Sequence, residues 1–389
     1  MITVFQGRSF DTDAEQAMAA ATADFDASAP LDIVFLFSST HRDPHAVMAA
    51  ARRRFPDVPV VGCTTTGEFL GGAHSNGALV VAGLKTPRLR WQATLVSGLS
   101  TLEQNTVKAK VDGLFESLAI DREDFDPSHL FGITFVDGLR LREERLSAWL
   151  AEALEGIPFL GGSAGDDLKF QQTHVFAEGR AETDAAVLVL AHAEDPSAFS
   201  ILKHQHFTRT ERRLVVTNCD PETRKILELD GEPALDAYAR ALGLTPDAVT
   251  DAVAFMNPLT FSVNGEIYVR SIQKIEADGA LTFYCAVEDG MVLDIGGHHD
   301  MPVELQRALG QTDVARDGGG ATAAPRKPDF MLMCNCILRA LEAQNTGLIP
   351  QVDAVLSQSA QASIGFDTYG EQLNGLHINQ TLVALALHG

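Results

Sequence analysis

"GCTTTGEFLGGAHSNGALVVAGL" (Gly62–Leu84) and "GFDTYGEQLNGLHINQTLVALAL" (Gly365–Leu387) overlay without a gap, and eleven of the twenty-three positions are identical. The shared residues include Gly62/Gly365, Gly67/Gly370, Glu68/Glu371, Gly72/Gly375, His74/His377 and Asn76/Asn379. Copies this far apart mark duplicated folding units, not a solenoid, whose period runs about 20 to 50 residues.

Each copy closes a segment with one plan: apolar strand, polar loop, amphipathic helix, then a strand running into a glycine turn. In the first segment "DIVFLFSST" is the strand and "DPHAVMAAARRRF" the helix, with Asp43 as N-cap and Pro44 at the first helical position. The last segment reads "DFMLMCNC", "ILRALEAQNTG", "SIGFDTYGEQL". Between them lies a looser relative, "HLFGITFVDGL", "REERLSAWLAEALEG", "IPFLGGSAGDDL", whose helix repeats Leu146, Trp149, Leu150 and Leu154 at helical spacing. An acid and then His174 follow there, about one residue out of register. Strand–helix–strand units need both sheet faces covered. The expected fold class is therefore α/β (α+β mixed): layered, internally duplicated units with sheets inside and helices outside.

Residues 196–305 change style. "FSILKHQHF" and "RRLVVTNC" read as strands, and "PETRKILELDGEPALDAYARALG" as helical turns. "FSVNGEIYVRSI" is a hairpin signalled by Asn264-Gly265, and "IEADGALTFYCAV" one signalled by Asp278-Gly279. These make a compact α+β insert. "GQTDVARDGGGATAAPRKP" (310–328) reads as a flexible loop. The expected domains are 1–195 and 196–389, the second comprising the insert (196–305) and a repeat-like unit (329–389) that pairs with the amino-terminal half.

Apolar residues make up 46% of the 389 and charged residues 21%, the composition of a globular protein. Thirty basic against 52 acidic residues leave a net charge of −22, which repels nucleic acid and anionic membrane surfaces alike. No apolar run reaches the roughly 18 to 20 residues of a membrane span. The opening "MITVFQGRSFDTD" shows no secretory pattern. Five scattered cysteines are no disulfide framework. A cytoplasmic protein with reduced thiols is expected.

Neither glycine turn carries the Gly-Lys-Ser/Thr of a phosphate loop, and both place a carboxylate where the lysine belongs. "GGSAG" (161–165) matches a nucleophile elbow as a string, which makes a serine hydrolase using Ser163 one alternative. Against it, the residues that follow look extended, whereas the elbow needs a helix. Glu68, Leu70, Gly72, His74 and Asn76 are two apart and share a face on an unbroken strand, as do Glu371, His377 and Asn379. They are candidates to line a pocket between the duplicated units. The competing reading is that they satisfy backbone groups freed by the turns. Cys334 and Cys336 form C-x-C with no second pair, which reads as buried thiols and not as zinc ligands. Histidine clusters at His204/His206 and at His298/His299. An imidazole among apolar residues suits either a haem axial ligand or a core histidine.

With these motifs in order, the chain resembles the FIST family of bacterial sensory proteins over nearly its whole length. The amino-terminal half is carried by "VVGCTTTGEF", "FVDGLRLREE" and "IPFLGGSAGDDLKFQQTHVF". The carboxy-terminal half is carried by "HFTRTERRLVVTNCD", "EPALDAYARALG", "YVRSIQKIEADGALTFYCAVEDGMVL" and "IGFDTYGEQLNGLHINQT". The resemblance implies a non-enzymatic sensor of a small ligand that signals to a partner such as a histidine kinase or a cyclic-di-GMP enzyme. No kinase, receiver or cyclase motif is present, so a stand-alone input module is expected. A chain of this length is also similar to the NosP subgroup, which binds haem b and responds to nitric oxide. On that reading His206 is the first candidate axial ligand and His377 the second, with no metal beyond the haem iron. A FIST sensor of an amino acid without haem is the alternative ligand reading.

Overall fold

Three apolar runs, 33–39, 130–136 and 330–336, have no polar face to offer solvent, and every residue in them is buried. Strands of this kind need layers on both sides. The computed structural model, which describes residues 2–26, 30–263, 265–312 and 326–389, makes each run an inner strand of a six-stranded sheet. Asn264 and most of the loop expected at 310–328 lie outside the described residues.

The first unit runs β1 (Thr3–Ser9), α1 (Ala14–Ala21), β2 (Ile33–Ser39), α2 (Pro44–Arg54), β3 (Val60–Thr65), β4 (Glu68–Leu70), β5 (Ala73–Ser75), β6 (Leu79–Lys85). The second repeats it: β7 (Leu89–Ser97), α3 (Gln104–Ser117), β8 (Leu130–Val136), α4 (Glu143–Leu154), β9 (Phe159–Ser163), β10 (Val175–Ala177), β11 (Arg180–Glu182), β12 (Ala185–Ala193). The third begins with β13 (Phe199–His204) and is interrupted by the insert. That insert comprises β14 (Phe207–Asp220), β15 (Lys225–Leu229), β16 (Glu232–Pro233), α5 (Ala234–Leu242), α6 (Asp251–Met256), β17 (Leu259–Val263), β18 (Glu266–Arg270), β19 (Ile272–Ile275), β20 (Leu281–Phe283) and β21 (Val292–His298). The unit then resumes with α7 (Met301–Leu309), β22 (Phe330–Cys336), α8 (Ile337–Asn345), α9 (Ile349–Ser357), β23 (Ala362–Thr368), β24 (Glu371–Leu373), β25 (Leu376–Ile378) and β26 (Leu382–Leu387). As expected, Asp43 caps α2, accepting from the His45 amide, with Pro44 in its first turn.

The three sheets have one order. In each, two parallel strands joined through helix (β2–β3, β8–β9, β22–β23) are followed on one side by two antiparallel strands of the same unit. On the other side the sheet is completed by a hairpin from a different unit. Hairpin β4–β5 pairs with β23, β10–β11 with β3, and β24–β25 with β9. Each unit thus gives a hairpin to one neighbour and takes one from the other, covering edges that would otherwise invite association. The repeated Gly72 and Gly375 lie where hairpin meets helix. Gly72 (φ +81°) sits so close to α9 that a Cβ there would be 2.2 Å from the Ser357 amide nitrogen. At Gly375 (φ +92°) a Cβ would meet Ala151 of α4 at 2.9 Å.

The sheets face one another around a common core, with helices outside. Phe37, Phe135 and Phe366 meet there, ring centroids 4.5, 5.5 and 5.8 Å apart. Across the parallel pairs, Phe37 is opposite Cys63 and Phe135 opposite Gly162, whereas Cys334 is opposite Phe366. The third unit therefore moves its ring to the neighbouring strand, and Cys334 fills the smaller place. All five cysteines are free, and burial pushes the Cys334 and Cys336 thiols up, keeping them in the unreactive neutral form.

The insert folds on its own sheet, β18-β17-β21-β14-β15-β20-β19, with α5 packed on it. One expectation is corrected here. The stretch 221–243 is not helical throughout: Lys225–Leu229 is strand, and only Ala234–Leu242 is helix. Asp230 and Gly231 both have positive φ, the condition of a tight hairpin turn, and they return the chain to β16. Among the described residues no helix is long and apolar enough to cross a membrane.

Candidate functional site

Each exchanged hairpin leans on a helix of the receiving unit, and polar side chains gather at these meetings. The first, where β4–β5 meets α8 and α9, opens into a cavity of about 660 Å³. It lies at the carboxyl ends of parallel strands, where ligands bind in α/β sheets. His41 follows β2, Thr66 follows β3, and Asp367 lies at the end of β23. His74, Ser75 and Asn76 come from the hairpin, Asp167 and Leu168 from the second unit, Ala340 and Gln344 from α8. All three units contribute.

The cavity is acidic, with no lysine or arginine among its lining residues. His74 Nδ1 is 2.6 Å from Asp353 Oδ1, and its Nε2 is 3.9 Å from Asp367 Oδ2. The ring stands edge-on to Phe69 at 4.1 Å, which fixes its orientation. Asp367 accepts from Asn335 Nδ2 at 2.7 Å, and burial pushes its carboxyl up. Gly67 is required beside it, because a Cβ would come within 2.5 Å of Asp367 Oδ2. Asp167 and Leu168 are both left-handed, a strained backbone. The Asp167 carboxylate holds that turn by accepting from the Thr40 amide (3.0 Å) and hydroxyl (2.5 Å) and from Ser39 Oγ (3.1 Å).

The equivalent meeting of β24–β25 with α4 is closed. His377 and Asn379 occupy the places of His74 and Asn76, but the insert covers them with Arg224 and Arg270. Arg224 pairs with Glu143 (2.8 Å) and Glu144 (2.6 Å), and Arg270 Nη1 donates to the His377 carbonyl at 3.2 Å. Gln372 Nε2 lies 3.1 Å from His377 Nδ1 and donates to Ser163 Oγ at 2.9 Å. His377 Nε2 and both amide atoms of Asn379 are buried without a hydrogen-bond partner. The third meeting, β10–β11 on α2, is an open groove of about 620 Å³ lined by Arg52, Arg53 and Arg180.

Among the residues singled out in the sequence, His74 and Asn76 line the open cavity, while His377 and Asn379 lie in the closed one. Glu68 and Glu371 are fully buried and tie turns. Glu68 accepts from Thr65 Oγ1 (2.5 Å) and the Ala78 amide (2.9 Å). Glu371 does the same with Thr368 Oγ1, and with Thr381 Oγ1 at 2.5 Å. Burial raises both carboxyls to about 8. The alternation that put Glu68 and His74 on one face is interrupted by the turn at Gly71–Gly72. The register then sets Glu68 opposite Ser75 and Phe69 opposite His74, so Glu68 and His74 point to opposite faces.

His206 is 1% exposed, its Nε2 2.8 Å from Glu342 Oε1 and its Nδ1 3.5 Å from Arg339 Nη1. Iron on either nitrogen has to displace a partner, and neither His206 nor His377 lines the open cavity. As they stand, these residues do not fit a porphyrin. Ser163 is likewise buried, its strand runs on into an extended loop instead of a helix, and its hydroxyl is engaged by Gln372. That is not the geometry of a nucleophile elbow.

Asp167, Asp353 and Asp367 escaped the reading of the sequence because they come from units other than that of His74, Asp167 from the second and Asp353 and Asp367 from the third. One signal was available: the overlay that aligns identical residues sets Thr64 against Asp367.

Two family models match the chain, one described as FIST N domain over residues 32–232 and one as FIST C domain over 234–374. No curated protein matches. Among solved structures, the crystal structure of a cyanuric acid hydrolase from A. caulinodans is similar at 9% identity with a TM-score of 0.40, over 100% of this chain and 99% of that one. A likeness at that level says nothing of what this chain does.

Proposed function

The chain belongs to the FIST family, whose domains are sensory, ligand-binding modules of signal transduction, and from that premise we propose that it senses a small molecule bearing a protonated amine, such as an amino acid. The observation that carries this reading is the cavity at β4–β5. It has ample volume for such a ligand, the carboxylates Asp167 and Asp367, two imidazoles, and no lysine or arginine in its wall. An ammonium there gains charge-assisted hydrogen bonds with Asp367 and with Asp167, the latter already paired with Lys169 Nζ at 3.5 Å at the cavity's edge. The apolar side of α8 and α9 (Ala340, Leu341, Ile349) suits a hydrocarbon side chain.

The cavity walls belong to different units, so a ligand that touches hairpin and helix together favours one arrangement of the two. A partner such as a histidine kinase or a cyclic-di-GMP enzyme, reading the outer surface of α8 and α9, would register that change. Thermal-shift and calorimetric titration with a panel of amino acids and simple amines tests the proposal. Saturable binding lost in Asp367→Asn supports it, and the absence of any stabilising amine refutes it.

Haem b responding to nitric oxide is the other reading, and the unpartnered His377 Nε2 is the one observation on its side. It requires a Soret band on adding hemin that His206→Ala or His377→Ala removes. The partners now bonded to both rings weigh against it.

A further inference from the structure

His206 sits between β13 and β14, where the chain leaves the third unit for the insert, and His298 ends β21, where it returns. Glu342, on α8 of the third unit, faces the same point. Ligand atoms of these three side chains all lie within 4.8 Å of one another. We infer that His206, His298 and Glu342 form a binding site for one divalent transition-metal ion of the zinc class at the root of the insert.

Two imidazoles and a carboxylate are a donor set that such ions take, leaving a fourth position for water. His206 Nε2 and Glu342 Oε1 are now 2.8 Å apart. Ligands on a tetrahedral ion with bonds of about 2.0 to 2.1 Å stand roughly 3.3 Å apart, so the pair need open by only about half an ångström. Independent support comes from the polar atoms that the protein leaves unsatisfied there. Glu342 Oε2 is buried without a hydrogen-bond partner; the ring nitrogens of His204 are unpartnered too, but that ring, its centroid 6.5 Å from that of His206, is not one of the three ligands. Buried polar atoms are normally satisfied, and a bound ion with its water answers this deficit.

The His206 imidazole binds metal in its neutral form. Binding through Nε2 moves its proton to Nδ1. The contact of Nδ1 with Arg339 Nη1, now 3.5 Å, is then lost, and Arg339 must turn aside so that two donors do not face each other. The Arg339 charge opposes a cation, and the adjacent Glu342 carboxylate is its foremost counter-charge. His298 is exposed, so the ion can enter from solvent. The ends of the insert are already tied by the His299 amide donating to the His206 carbonyl at 2.8 Å. A metal adds α8 to that tie, and Gln344 and Leu341 of the same helix line the open cavity.

The test uses the full chain, stripped with a chelator and titrated with Co²⁺ alone, followed by competition with Zn²⁺. The expected result is visible d–d absorption saturating at one equivalent and displaced by Zn²⁺. Affinity should fall at least tenfold in Glu342→Gln and in His298→Ala. His298 is exposed, so its variant keeps the fold, and far- and near-UV circular dichroism verifies this. Absence of saturable binding, or variants that bind as tightly as the parent, overturns the site.

Discussion

Glu68 and Glu371 make the stability of this protein depend on pH in an unusual direction. Burial lifts both carboxyls from the ordinary 4.5 to about 8, so between those values the folded chain holds two protons that the unfolded chain releases. Their contribution to stability is fully present below pH 4.5, falls as pH rises above it and is fully lost once pH has passed 8. At about 1.4 kcal/mol per pH unit, each residue removes about 3 kcal/mol between pH 4.5 and 7, and about 5 kcal/mol by pH 9. Glutamine keeps the network, since its amide donates to the threonine hydroxyl and its carbonyl accepts the backbone amide, but it cannot titrate. Glu371→Gln should therefore match the parent near pH 4.5 and exceed it by several kcal/mol at pH 8, and Glu68→Gln likewise. Urea unfolding at a series of pH values, followed by the fluorescence of Trp91 and Trp149, measures the difference. Subtracting parent from variant removes the common contribution of the other carboxylates. Parallel pH profiles for parent and variant would refute the reasoning.

Gly72→Ala, with its Cβ driven into the α9 backbone at a left-handed φ, should destabilise by about 3 kcal/mol or more, seen in the unfolding midpoint. Gly375→Ala should cost less, because the atom it meets is the Ala151 side chain. Amine affinity should rise with pH, because burial holds the Asp367 carboxyl up and only its ionised form pairs with an ammonium; calorimetry at pH 5 and 8 should show this in the parent, and an affinity that does not rise refutes the role of Asp367. Residues 1–195 expressed alone lack β24–β25, which leaves the β9 edge bare and β4–β5 without its sheet. Size-exclusion chromatography should find that fragment associated, against a discrete species for the full chain.

Much of the fold was legible because its signals are local. Runs with no polar face marked β2, β8 and β22, Asp43-Pro44 marked the start of α2, and the matched turns marked the duplication. The shared Gly72/Gly375 and Glu68/Glu371 proved to be hairpin seats and turn ties, roles that a short segment imposes on itself wherever it recurs. His74 and His377 show where that logic stops, since identical residues in matching hairpins face an open cavity in one case and the guanidiniums of the insert in the other. Which edge a hairpin joins, and what lies across from it, depends on strands hundreds of residues away competing for the same sheet. Asp353 and Asp367 become neighbours of His74 only once the first hairpin has crossed to the third unit. Periodicity and turn chemistry act over a few residues and can be read from them, whereas the site is made by packing between units, which no single stretch encodes.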